Sequence, residues 1–218
     1  MNWKRNLLRN FKLYAVTDLG DEDPDILRKA EGALRGGVDI LQLRSKSLSD
    51  TSLLRIGGKL LQLSEKYQRL FIVNNRVDLA LALDADGVHL GQDDMPVFLA
   101  RKILRDPSKI IGKSTHSLEQ ALAAREEGAD YIAVGPVFAT PTKPDYRPVG
   151  LELVAEVARL IDIPFAAIGG IDLGNVEGVL ETGASRVAVV RGIWMSENPF
   201  HAARKFKKIL SRHALSVL

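Results

Sequence analysis

Apolar residues fall along this chain in eight short runs, with stretches of helical periodicity between them. The runs are Leu13–Thr17, Ile40–Leu43, Leu70–Val73, Gly87–Leu90, Ile110–Gly112, Tyr131–Val134, Phe165–Ile168 and Val187–Val190. Most lack polar alternation, the pattern of parallel strands buried on both faces. Asp23 followed by Pro24 predicts an N-cap and a proline in the first helical position. Ile26, Leu27, Ala30, Ala33 and Leu34 then recur at helical spacing. Ser49 or Asp50 can cap a second helix running to Tyr67, weakened where Gly57 and Gly58 each cost about 1 kcal/mol against alanine. Leu118, Ala121 and Leu122 mark another helix.

One signal repeats. Gly37-Val38-Asp39, Asp84-Ala85-Asp86-Gly87, Gly128-Ala129-Asp130 and Gly183-Ala184-Ser185 each close a helix and open a strand, before every second run. Glycine there supplies a left-handed helix end, and the recurrence is the weak internal repeat of a βα protein. Eight βα units predict an α/β fold, a single closed (β/α)8 TIM barrel over residues 1–218. An open doubly wound sheet would show fewer strands and a Gly-x-Gly-x-x-Gly turn after the first, which Leu13–Gly20 lacks.

Residues 1–11 set Trp3, Leu7, Leu8 and Phe11 among Lys4, Arg5 and Arg9. This predicts a short amphipathic helix packed on the barrel, since the continuous apolar core of a signal peptide is missing. No apolar run is long enough to span a membrane. The absence of cysteine removes disulfides, thiolate zinc sites and cysteine nucleophiles, and it fits a cytoplasmic protein. A net charge of +3 is too small to imply nucleic acid, so the basic residues should act locally on an anionic ligand. Arg204, Lys207, Lys208 and Arg212 read as a solvated helical face, His201 and His213 as surface, and Trp194 and Met195 as packing.

In such a barrel the chemistry sits at the C-terminal ends of the strands. The second run ends in Gln42, Arg44 and, just beyond, Lys46, a pair of cations suited to phosphate or diphosphate unless they are solvated or ion-paired. The third ends in Asn74 and Asn75, of which Asn75 can instead cap the next helix. The fourth ends in His89, read as a wall or floor residue, followed by Asp93 and Asp94. A carboxylate there suits magnesium beside a diphosphate, or caps the helix near Pro96. The fifth leads to Ser114, a donor, and His116, an acid or base or simply a hydrogen-bonded loop residue. The sixth is followed by Gly135–Asp145, a loop with three prolines that carries Thr140, Thr142 and Lys143 and can wrap an anion. Gly169 and Gly170 after the seventh run, and Val190-Arg191-Gly192 after the eighth, give a second anion site.

Together these motifs resemble the thiamine-phosphate synthase family. The matching stretches are Tyr-Ala-Val-Thr-Asp (14–18), Gln-Leu-Arg-Ser-Lys (42–46), Asn-Asn-Arg-Val-Asp-Leu-Ala (74–80) and Asp-Gly-Val-His-Leu-Gly-Gln-Asp-Asp (86–94). Ser-Thr-His (114–116), Gly-Ala-Asp-Tyr (128–131), the 135–145 loop, Ala-Ile-Gly-Gly-Ile (167–171) and Val-Ala-Val-Val (187–190) complete the set. The resemblance implies a magnesium-dependent transferase of small phosphorylated substrates in thiamine biosynthesis. It would join 4-amino-5-hydroxymethyl-2-methylpyrimidine diphosphate to 4-methyl-5-(2-hydroxyethyl)thiazole phosphate, with release of pyrophosphate. Carried over, Gln42, Arg44, Lys46, Asn74, Ser114 and Lys143 hold the pyrimidine diphosphate, and Arg44, Lys46, Ser114 and Lys143 are the catalytic set. Asn75 and Asp94 take the magnesium positions. Thr140, Thr142, Gly170, Val190 and Arg191 hold the thiazole phosphate. The implied mechanism is dissociative, through a pyrimidinylmethyl cation.

Two positions depart from the family pattern, which carries aspartate at Asn75 and serine at Arg191. The alternative is the related thiazole tautomerase, whose resemblance lies in Gly112–Ser117, with His116 moving a proton. A third reading is a non-catalytic regulator that binds a phosphorylated ligand. Nothing in the sequence decides between a monomer and a homo-oligomer.

Overall fold

The eight apolar runs form eight parallel strands that pair in chain order, and the first closes onto the last. The computed structural model describes residues 3–20, 23–143 and 145–216. Met1 and Asn2 of the N-terminal segment and Pro144 of the proline-rich loop lie outside the described residues. The order is α1 (Trp3–Asn10), β1 (Leu13–Val16), α2 (Ile26–Gly36), β2 (Ile40–Leu43), α3 (Asp50–Lys66), β3 (Leu70–Asn74), α4 (Val77–Ala82) and β4 (Gly87–Leu90). Then come α5 (Val97–Leu104), β5 (Ile110–Thr115), α6 (Leu118–Glu126), β6 (Tyr131–Val134), α7 (Gly150–Leu160), β7 (Phe165–Ile168), α8 (Val176–Glu181), β8 (Val187–Val189), α9 (Arg191–Trp194) and α10 (Pro199–Ser216).

Strand alternation sorts the apolar residues into two cores. Leu13, Ala15, Leu41, Leu43, Phe71, Val73, Ile111 and Val134 face the helices. Tyr14, Val16, Ile40, Leu70, Ile72, Ile110, Tyr131, Ala166 and Ala188 fill the barrel interior, closed from below by Leu8 and Phe11 around the end of α1. The N-terminal helix is therefore the barrel's plug. Gly57 is no simple weakness of α3. A Cβ there would come within 2.7 Å of Leu83 and 3.1 Å of Leu43, so glycine lets α3 sit close to the sheet.

The repeated helix-to-strand signal has a structural meaning. Gly37, Asp84, Gly128 and Gly183 all take the left-handed conformation. The aspartates that follow act as clamps at the closed end. Asp39 accepts the Lys12 and Leu13 N–H groups at 2.8 and 3.1 Å. Asp86 accepts the Phe71 N–H at 2.8 Å and Asp130 the Ile111 N–H at 2.8 Å. Each carboxylate at the start of an even strand thus ties down the start of the odd strand before it. Each also has cationic partners: Arg69 and Lys207 for Asp39, Lys4 for Asp86, Arg5 and Arg101 for Asp130. At the fourth position the repeat has Ser185. There Arg186 donates to the Ser185 hydroxyl at 3.1 Å and to the Arg9 carbonyl at 2.6 Å, its guanidinium 5.5 Å from the Phe11 ring.

Several details differ from the sequence reading. Helix α2 starts at Ile26 with Asp25 as N-cap, and Pro24 lies in the preceding turn. Asp23 serves that turn instead, its carboxylate accepting the Asp25 N–H at 2.9 Å. Ser49, not Asp50, caps α3. Lys207 is ion-paired rather than solvated. Trp194 packs as expected and donates its indole N–H to the Val16 carbonyl at 2.6 Å, whereas Met195 is 68% exposed.

The clamps should dominate stability. Asp39→Ala strands two N–H donors and two cations around a nearly buried site, and it should cost about 3–5 kcal/mol in urea unfolding. Arg28→Ala removes an exposed pair with Asp25 and should leave the unfolding midpoint unchanged.

Candidate active site at the mouth of the barrel

Small side chains at the upper strand ends leave a cavity of about 290 Å³ at the C-terminal end of the barrel. Its floor is Tyr14, Val16, Gln42, His89, Ser114, Ala133, Ile168 and Ala188, the inward positions of seven strands. Of the residues anticipated from sequence, Gln42, Arg44, Asn74, Ser114, Thr140, Thr142, Lys143, Gly170, Val190 and Arg191 all line this one cavity. The two anticipated anion sites therefore open into a shared space. Lys46, Asn75 and Asp94 do not line it and stand at its rim.

Arg44 is 9% exposed, and its guanidinium donates to Asp18. Its backbone is held by Thr17, whose hydroxyl accepts the Arg44 N–H at 2.8 Å and donates to the Arg44 carbonyl at 3.1 Å. Lys143 reaches in from the opposite side, half-buried, its ammonium 4.9 Å from the Tyr146 ring. Burial, followed by the charge of Arg44, holds its pKa below the usual lysine value. Asp94 opposes that shift, Lys46 adds to it, and Asp93 opposes it. Lys46 and Asp94 thus belong to the same electrostatic neighbourhood as the cavity.

Asn75 takes a left-handed backbone (φ 62°), and its N–H donates to the His89 carbonyl at 2.8 Å. It does not cap α4, whose N-cap is Arg76. Nor do Asp93 or Asp94 cap α5, which follows Pro96. Asp94 instead accepts the Gly91 N–H. Lys113 donates to the Gly91 carbonyl at 2.8 Å and Gln92 to the Ser114 carbonyl, so the 91–94 turn is fastened to β5. Among the described residues no cluster of three or more His, Cys, Asp or Glu side chains could hold a metal by itself.

The loop after β6 is pinned at its base. Val137 and Phe138 donate to the carbonyls of Ile168 and Gly169 at 2.8 and 3.0 Å. Gly170, at φ 66°, meets Phe138 and Ala139 so closely that a Cβ would lie 2.7 Å from the Phe138 Cβ. Beyond that base, Ala139 to Lys143 line the cavity, as do Gly135 and Pro136 at the start of the loop. His116 donates from Nδ1 to the Gly135 carbonyl, its ring lies tilted 4.7 Å from that of Tyr146, and burial lowers its pKa.

Sequence reasoning missed four participants. The sequence marks Tyr14 and Tyr131 only as strand residues; the observed register, which sets Tyr14 beside Ile40 and Tyr131 beside Gly112, turns both inward. Asp18, the partner of Arg44, gave no local signal. Asp172 lines the cavity, and its carboxylate is taken up by the Gly174 and Asn175 N–H groups.

Comparison with known proteins fits this geometry. The family model described as thiamine monophosphate synthase matches residues 13–193. A thiamine-phosphate synthase of Nostoc sp. is 47% identical over 196 residues, covering 90% of this chain and 55% of the relative. The chain thus spans about half the length of that relative. The thiamine-phosphate synthase of Halalkalibacterium halodurans is 46% identical over 213 residues, covering 95% of this chain and 99% of the relative. Among solved structures, a thiamine phosphate pyrophosphorylase from Pyrococcus furiosus superposes with a TM-score of 0.85 at 41% identity, over 96% of this chain and 98% of that one. On the extent of the family match and these identities, the chain belongs to the thiamine monophosphate synthase family.

Proposed function

We propose that the protein is a thiamine-phosphate synthase. It would join 4-amino-5-hydroxymethyl-2-methylpyrimidine diphosphate to 4-methyl-5-(2-hydroxyethyl)thiazole phosphate and release pyrophosphate, with the 218 residues acting as one barrel unit in the cytoplasm. The observation that carries this reading is the one cavity lined by Arg44 and Lys143 together with Thr140, Thr142, Gly170 and the Val190–Gly192 turn. Two anionic groups can be held there with their reacting ends toward each other. The relatives reported above carry synthase names, which favours this reading over a tautomerase working through His116.

On this reading Gln42, Asn74 and Ser114 orient the pyrimidine, while Arg44, Lys46 and Lys143 bind the diphosphate. As the C–O bond ionises, these cations stabilise the negative charge gathering on the leaving group. Thr140, Thr142, Gly170, Val190 and Arg191 place the thiazole phosphate so that the ring nitrogen meets the pyrimidinylmethyl cation. The Thr140–Lys143 tip keeps water from that cation. The rim donors suit a hard cation that keeps waters and phosphate oxygens in its shell: Asp94 offers a carboxylate, and Asn75 an amide oxygen, beside a Gly91–Asp94 turn already fixed to β5. Magnesium held there would add positive charge at the diphosphate.

Purified protein incubated with both substrates and magnesium should form thiamine phosphate, followed by fluorescence after oxidation. No product above that of a Lys143→Ala control would overturn the proposal. Lys143→Ala itself should lower kcat by about 10²–10³-fold, the loss expected for one donor aimed at developing charge. Asn75→Asp should lower the magnesium concentration for half-maximal rate, because a carboxylate holds a hard cation more tightly than an amide. An unchanged metal titration would remove Asn75 from the metal site.

A further inference from the structure

Beneath the cavity runs an unbroken chain of side-chain hydrogen bonds. Gln42 Nε2 donates to the Tyr14 hydroxyl. The Tyr14 and Tyr131 hydroxyls lie 2.8 Å apart. Tyr131 meets His89 Nδ1 at 2.9 Å, and His89 Nε2 meets the Ser114 hydroxyl at 3.0 Å. Only the two ends, Gln42 and Ser114, belong to the ligand-contacting set proposed above. The middle three have no role in that account.

The chain is a built feature of the barrel. Tyr14 and Tyr131 are fully buried, and Phe11 seals them from below with edge-on contacts at 6.2 and 6.3 Å. Gly112 makes room for it. A Cβ there would lie 2.2 Å from Tyr131 Cζ and 2.5 Å from His89 Nδ1. Burial keeps both phenols protonated by raising their pKa values. His89 is buried between Tyr131 and Ser114, and both its ring nitrogens meet hydroxyls rather than carboxylates. Every link is thus a neutral group with few protons to share.

That scarcity couples the links, and the Gln42 amide sets their direction. Tyr14 accepts from Gln42, so its one proton goes to Tyr131. Tyr131 must then donate to His89 Nδ1, which leaves the imidazole proton on Nε2, donated to Ser114. The Ser114 proton is left for the ligand, and Gln42 turns its carbonyl oxygen to the cavity. Reversing one link requires reversing all of them. We infer that Tyr14, Tyr131 and His89 are positioning residues that couple the hydrogen-bonding polarity of Gln42 to that of Ser114. The site would then demand a ligand with a donor at the Gln42 end and an acceptor at the Ser114 end. This rests on the synthase reading, in which the exocyclic amine of the pyrimidine supplies the donor.

The test uses two unreactive ligands with CH2 in place of the bridging ester oxygen of the pyrimidine diphosphate. One keeps the 4-amino group, and the other carries 4-methoxy, an acceptor instead of a donor that leaves both ring nitrogens as acceptors. Dissociation constants are measured by calorimetry on the full-length protein. The wild type should prefer the amino ligand by about 10²-fold or more, as sites built to pair a polar group do. Tyr131→Phe removes the central hydroxyl while keeping the ring, and it should shrink that preference to less than about 10-fold, because Gln42 can then turn independently of Ser114. A merely structural role would weaken both ligands equally and leave the ratio intact, and that result would overturn the inference. Should Tyr131→Phe fail to fold, Tyr14→Phe cuts the neighbouring link and decides the matter on the same ratio. Nitrogen NMR of the free protein gives a second readout: His89 should carry its proton on Nε2 with Nδ1 bare, and the opposite tautomer would refute the assigned direction. A wild type that binds neither ligand would count against the synthase reading itself. Tight amino-ligand binding with an unrelaxed ratio in the variants would sink the relay alone.

Discussion

Three carboxylates at the closed end of the barrel hold the strand starts in register, and the mouth depends on that register. Asp39, Asp86 and Asp130 each accept a backbone N–H from the neighbouring odd strand or its lead-in and draw cations onto it. Side chains alternate along a strand, so a slip of one residue would exchange the inner and outer faces. Gln42, Asn74, His89 and Ser114 would then face the helices, and Leu41, Val73, Val88 and Lys113 would face the cavity. The plug helix α1 contributes Lys4 and Arg5 to two of these clamps, so the residues before the first strand help to hold the register on which the site relies.

The two ends of the barrel also divide their tasks. At the closed end charges are paired and partly buried, and their effect is on stability. At the mouth the cations are held in place but incompletely neutralised. Arg44 has Asp18 on one side and the cavity on the other. Lys143 is presented by a loop tip whose base is fixed by backbone hydrogen bonds to Ile168 at the end of β7 and to Gly169 just beyond it. On the proposed function, a fixed base would let the tip admit substrates while keeping the Thr140, Thr142 and Lys143 donors beside the cavity.

Much of this was legible in the sequence because both signals are local. Unbroken apolar runs report two-sided burial, which gave all eight strands with ends shifted by at most three residues: β5 reaches Thr115 rather than Gly112. Strand-end position then reports exposure at the mouth, and ten of the anticipated site residues line the cavity. What was not legible depends on partners distant along the chain. Asn75 looked like a helix cap because asparagine caps well, but a backbone bond to His89 places it in a left-handed turn instead. Lys207 looked solvated because its counter-ion, Asp39, lies on the far side of the sequence. Tyr14 and Tyr131 read as ordinary strand aromatics, and their meeting requires β1 and β6 to face each other across a closed barrel.

The distribution of charge in the cavity suits a reaction that separates charge. Cations stand at the rim and the loop tip, where a diphosphate would leave, while the floor is built from neutral groups, a protonated phenol, an uncharged imidazole, an amide and a hydroxyl, with the Tyr131 phenol joined to them from beneath. A cationic floor would repel a pyrimidinylmethyl cation, and a carboxylate there could trap it as an ester. A neutral polar floor does neither, yet it still fixes the ring through hydrogen bonds that need no solvent reorganisation. The same burial that keeps His89 neutral therefore serves the proposed chemistry. On the proposed mechanism it would let a histidine lie under a carbocation without adding a proton's charge to the one forming.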